Sequence, residues 1–217
     1  MYLPTVEHNE AAGGGFGNRV AGKHAAGSIV PQIFHLLAYK PAMTLHLERL
    51  THEVLRGPSP LSPGFRELIA AFTGGRNECA FCMGSHAAIA AELLSDRALI
   101  DAVLADYRSA PLSEPEKALL AFVEKLNADG ASIRQQDVDA LHAHGWSDEA
   151  IHDAVTVCSL FNFYNRWVHG TGVSDVPREI HAATGRRLSL LGYRTTDRLA
   201  GADGELVPSR AEPSEQR

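Results

Sequence analysis

The sequence predicts an all-α protein. Apolar residues recur at helical spacing between about residues 28 and 185, capping signals punctuate them, and no stretch keeps the two-residue alternation of a half-buried strand. Ile33, Leu36 and Leu37 begin the pattern, and Pro41 opens a second helix that Gly57 and Pro58 stop after Arg56. Ser62-Pro63 supplies an N-cap followed by proline at the first helical position. Leu68, Ile69 and Phe72 form the apolar stripe of that helix, and Gly74-Gly75 is expected to end it. The segment NECAFCMGSHAAIA opens the next helix, through about Leu94, and Leu99, Ile100, Val103 and Leu104 mark a short one after it. Ser113-x-x-Glu116 is a capping box, and Ser132-x-x-Gln135 is expected to be another, before a helix ended by Gly145. Ser147 caps the last long core helix, with Trp146 and Ile151 placed as a hydrophobic staple and Gly170 and Gly172 at its end.

Residues 1–27, which include GGGFG, show little periodicity and are expected to form an irregular arm. Residues 28–185 form the helical domain, and 195–217 are polar enough to predict a disordered tail. With 217 residues, 45% hydrophobic and 21% charged, the chain is long enough for one well-packed domain. The net charge of −6 without a basic run argues against nucleic acid and anionic membranes as partners. No apolar stretch reaches bilayer length, and MYLPTVEHNE lacks a secretory pattern. Three cysteines, Cys79, Cys82 and Cys158, do not make a disulfide framework, so a cytoplasmic protein is expected. Cys158, in VTVCSLFNF, reads as a core residue.

The segments PLSPGFRELIAAF (60–72) and PLSEPEKALLAFV (111–123) align without gaps, which predicts two related helical units. Glu67 of the first falls where the second has Ala118, a residue compatible with an inward position, and only the first is followed by Cys-x-x-Cys.

Cys79, Cys82 and His86 are spaced i, i+3, i+7 and share one helix face. Cys79 lies near a helix N-terminus, where free amides and the dipole favour a thiolate. His86 lies one turn beyond Cys82 and is placed to exchange a proton with it. Counting about 1.5 Å per residue from the Gly-Gly segment puts Glu67 and His86 level across a helical hairpin. A carboxylate there would fix the imidazole tautomer and raise its basicity. Glu67, His86, Cys82 and Cys79 then read as a proton relay ending at a dithiol. The same residue types leave two other readings open: zinc held by Cys79, Cys82, His86 and a fourth ligand, and packing alone.

RELIAAFTGGRNECAFCMGSH resembles the signature of the AhpD-like, carboxymuconolactone decarboxylase superfamily: Glu, a long gap, then Cys-x-x-Cys-x-x-x-His. FNFYNRWVHGTGV (161–173) and VPQIFHLLAYKPAM are similar to segments of its peroxidase-related branch. The resemblance spans roughly residues 30–180. It implies an all-helical protomer in a homotrimer or homohexamer, and peroxide reduction or thiol–disulfide exchange without haem, flavin or metal. A hydroperoxide or disulfide would be the substrate and a dithiol or protein thiol the reductant. Carried onto this chain, Cys82 attacks the peroxide, Cys79 resolves it into a Cys79–Cys82 disulfide, and His86 with Glu67 relays the proton. Phe81 stands where the best-known alkylhydroperoxidases have a further histidine, which puts efficient peroxidase activity in doubt. The alternatives are a zinc-binding or redox-sensing module without turnover, and a carboxymuconolactone decarboxylase-like enzyme.

Overall fold

The structure, a computed structural model, describes residues 1–9, 14–27 and 29–194. Within them the chain forms α1 (Pro4–Glu7), α2 (Gly14–Ala25), α3 (Ile33–Tyr39), α4 (Pro41–Arg56), α5 (Pro63–Arg76) and α6 (Ala80–Leu94). It continues with α7 (Arg97–Asp106), α8 (Glu114–Ala128), a 3-10 turn (Gly130–Ser132), α9 (Gln135–Ala143), α10 (Asp148–Thr171) and α11 (Arg178–Leu191). No strand occurs among the described residues, and no described helix is long and apolar enough to cross a membrane. The predicted tail, 195–217, lies outside the described residues.

The strongest local signals set the helix starts. Ser62 Oγ accepts the Phe65 amide at 3.2 Å behind Pro63. Ser113 and Glu116 form the full capping box, and Ser147 Oγ accepts from the Ala150 amide. The two aligned segments bury equivalent residues: Leu68 and Leu119, Ile69 and Leu120, Phe72 and Val123 are at most 2% exposed and share one core. Helix α5 is the hub of that core, buried from Gly64 through Gly74. Cys158 lies in the same core.

Four expectations are corrected. The arm predicted as irregular contains α1 and α2, because Phe16 packs its ring on Phe34 of α3 at 6.2 Å and gives the glycine-rich segment a tertiary anchor. Gly74 and Gly75 lie inside α5, and the chain reverses at Asn77–Glu78, with Glu78 at φ 56°. A β-carbon on Gly74 would lie 2.9 Å from the Met83 amide nitrogen, so this glycine serves the close approach of α5 to α6 rather than a turn. No capping box forms at Ser132 before α9: the Asp137 carboxylate accepts the Arg134 amide at 2.8 Å, and Asp129 takes Ser132 into the 3-10 turn. Helix α10 is not the last of the fold. Helix α11 follows it and lies along α6, with Gly185 so close to Ala88 that a β-carbon would meet the Ala88 carbonyl oxygen at 2.8 Å.

Candidate functional site

The antiparallel pair α5–α6 positions all four residues singled out by the sequence. Cys79 is the N-cap of α6, with φ −88° and ψ 87°, and Cys82 lies in the first turn. Outside the helix proper, Cys79 turns its sulfur back over that turn, and the two Sγ atoms lie 2.7 Å apart as free thiols. The amide of Cys79 is held by the Gly74 carbonyl of the neighbouring helix at 2.8 Å. Across the hairpin, His86 Nδ1 lies 2.6 Å from Glu67 Oε2, the level placement that residue counting predicts.

Glu67 is completely buried and has further partners that no sequence signal announces. Arg56 Nη2 pairs with its Oε1 at 2.7 Å, and the Tyr193 hydroxyl donates to the same oxygen at 2.8 Å. The Arg56 guanidinium also stacks over the Tyr193 ring, 5.2 Å from its centroid. Burial pushes the Glu67 carboxyl upward, but His86, Arg56 and Tyr193 outweigh it and hold the group below its ordinary value. A carboxylate so fixed keeps the proton of the imidazole on Nδ1 and leaves Nε2 as a base.

The thiols are electrostatically unequal. The hydrogen bond between the two sulfurs is the main influence lowering Cys79, and burial opposes it. The same bond, then burial and the Cys79 charge, push Cys82 well above its ordinary value. The contact therefore favours ionisation of Cys79 over that of Cys82, the cysteine closer to His86 along α6. The Asn165 amide favours ionisation of both sulfurs. Asn165 is buried, and its carbonyl oxygen accepts from Asn77 Nδ2 at 2.8 Å in a cluster that includes Asn127 and Asn162. Arg166, its neighbour in sequence, is exposed and bonds Asn162 instead.

A second imidazole flanks the dithiol. His181 of α11 is buried, with Nδ1 3.1 Å from Ser85 Oγ and Nε2 2.8 Å from Asp175 Oδ1. Its ring lies 5.8 Å from that of Phe81, the residue between the cysteines. It crosses α6 over Gly84, where a β-carbon would come within 2.6 Å of the ring. Cys82, Ser85, His86, His181 and Tyr193 line one cavity of about 130 Å³. Cys79 is 1% exposed and outside the cavity wall.

Arg56, Tyr193 and His181 are the site residues that sequence reasoning missed. Arg56 reads as a cation at a helix C-terminus, and Tyr193 and His181 belong to a helix and its end that the apolar pattern does not single out. His52 is half-buried and accepts the Tyr193 amide on Nδ1 at 3.2 Å. Among the described residues no three His, Cys, Asp or Glu side chains are grouped to hold a metal ion, and Glu67 is committed to His86, Arg56 and Tyr193.

The fold has known counterparts. Residues 41–125 match the model of the carboxymuconolactone decarboxylase family. Among solved structures, the chain is similar to an uncharacterized peroxidase-related protein from Silicibacter sp. TM1040, at 28% identity and TM-score 0.66, over 75% of this chain and 84% of that one. It is also similar to an alkylhydroperoxidase AhpD core, an uncharacterized peroxidase-related protein from Ralstonia eutropha JMP134, at 25% identity and TM-score 0.67, over 79% and 89% of the two chains. No curated protein matches the sequence.

Proposed function

The chain belongs to the AhpD-like, carboxymuconolactone decarboxylase superfamily, in its peroxidase-related branch, and from that premise we propose that it is a thiol oxidoreductase that reduces organic hydroperoxides through Cys79 and Cys82. The observation that carries this reading is the pairing of His86 with the buried Glu67 one helical turn from a thiol that burial and its neighbour keep protonated. Such a thiol needs a base, and His86 Nε2 is the imidazole nitrogen left for that task.

In the proposed cycle the Cys82 thiol gives its proton to His86, and the thiolate attacks the terminal oxygen of the hydroperoxide. The O–O bond breaks, Cys82 becomes a sulfenic acid, and the alkoxide takes a proton to leave as an alcohol. Cys79, reacting as its thiolate, then attacks the Cys82 sulfur. Hydroxide departs, takes the second proton as water, and a Cys79–Cys82 disulfide remains. One of the two protons is the one held by His86. The other comes from solvent, and the half-exposed Asp175 with His181 and Ser85 forms a hydrogen-bonded route for it. His181 thus supplies the imidazole that Phe81 does not. An external dithiol or protein thiol reduces the disulfide, and a disulfide substrate enters by the same exchange. Assembly as a homotrimer or homohexamer in the cytoplasm belongs to the same proposal.

The test is mass mapping of the cysteines before and after one equivalent of hydroperoxide. Rapid appearance of a Cys79–Cys82 disulfide, abolished in Cys82→Ser, is the expected result. Peroxide consumption by Cys82→Ser at the wild-type rate would sink the mechanism. The family match also carries a second reading, a lactone decarboxylase acting without the thiols. Activity on carboxymuconolactone that survives replacement of both cysteines would establish it.

A further inference from the structure

The cavity beside Cys82 carries more positive charge than its own residues neutralise. Two guanidinium groups, Arg19 of α2 and Arg187 of α11, stand in its wall with one carboxylate, Glu48, which bears on both. Arg187 Nη1 is buried and has no hydrogen-bond partner. A buried cationic donor left unsatisfied is destabilising, and burial pulls Arg187 down to about 10, which still leaves it charged at neutral pH. Much of the remaining wall is apolar, including Phe34, Phe161, Val168, Ile180 and Leu188.

We infer that this cavity binds an organic carboxylate, its anionic head on Arg187 and its apolar body against the aromatic and aliphatic wall. Resting on the peroxidase reading, the substrate class is then a hydroperoxide that carries a carboxylate at its far end. Two dimensions limit its size. Arg187 follows His181 by six residues on the same helix, an axial separation on the order of 9 Å. A cavity of about 130 Å³ is near the size that admits one benzene ring. A carboxylate and a hydroperoxide at opposite ends of a single ring, or of a chain of similar length, meet both limits. Arg187 is held in place by the packing of α11 on α6, the contact that also places His181 beside the dithiol.

The experiment compares 4-carboxycumene hydroperoxide with its methyl ester and with cumene hydroperoxide, on the full chain and on Arg187→Met and Arg187→Lys. The wild-type protein is expected to prefer the acid over the ester by about tenfold or more in kcat/KM, the value of one charge-assisted hydrogen bond. Arg187→Met brings that ratio close to one, and Arg187→Lys restores part of it. In parallel, calorimetry with the unreactive 4-isopropylbenzoate is expected to show binding to the wild type and not to Arg187→Met. Equal use of acid and ester by the wild type, or a preference that Arg187→Met leaves unchanged, overturns the inference. Should Arg187→Met fail to fold, the wild-type ratio and the comparison of 4-isopropylbenzoate with isopropylbenzene decide it. Binding of 4-isopropylbenzoate without any peroxide consumption would reject the peroxidase reading alone. Peroxide consumption without acid preference would reject the carboxylate site alone.

Discussion

The two histidines that flank the dithiol are built in opposite ways. His86 is held against Glu67, a carboxylate with no exposure, which is closed in by Arg56 and Tyr193. His181 is held against Asp175, whose side chain is half exposed. Both are imidazoles with a carboxylate on one nitrogen, yet only the second is linked to bulk water by its partner. A carboxylate shut away from water keeps its partner's proton in a fixed place, ready for one reaction step. An open pair can be recharged from solvent. The proposed reduction of a hydroperoxide, which breaks an O–O bond and releases two oxygens, needs both behaviours.

That contrast can be broken experimentally. Removing the base held by the buried carboxylate has the largest expected effect. His86→Gln should lower kcat/KM for hydroperoxides by about 10²–10⁴-fold, the usual worth of a positioned base, measured by peroxide consumption with excess dithiol. Replacing Arg56 by Met leaves the Glu67 charge short of its cation. The expected loss is about 3–5 kcal/mol of unfolding free energy, measured by chemical denaturation. Opening the second pair should do less: His181→Gln is expected to lower the rate by no more than about 10²-fold. The loss should grow as the alcohol formed becomes a poorer leaving group. A loss independent of the leaving group would mean that His181 only props up α6.

The smallest effect concerns acid stability. The Glu67 carboxyl is depressed in the folded protein, so its contribution is complete above its unfolded value near 4.5. That contribution is lost as pH falls through the lower folded value. Stability measured between pH 7 and 3 should therefore decline more steeply in the wild type than in Glu67→Gln. A parallel decline in both proteins would place the acid sensitivity elsewhere.

The helix order, the starts of α5, α8 and α10, and the facing of Glu67 and His86 were legible because each depends on signals within a few residues. Ser62-Pro63, the Ser113–Glu116 box and the i, i+3, i+7 spacing act locally. Gly74 misled because a glycine that permits close packing looks the same in sequence as one that makes a turn. Tyr193 was invisible for a different reason: its bond to Glu67 spans 126 residues. The same holds for His181, 96 residues from Ser85. The sequence therefore revealed the facing of Glu67 and His86 beside the cysteines but not the groups that surround them.

The position of Tyr193 has a consequence for how the protein is made. The ribosome delivers Arg56, Glu67 and the two cysteines early, and Tyr193 only after more than a hundred further residues. A nascent chain that has folded α5 and α6 already presents its thiols while the carboxylate lacks the Tyr193 hydroxyl. The surroundings of Glu67 are then completed only after α11 has been made, and a chain cut short before α11 would carry a dithiol without them.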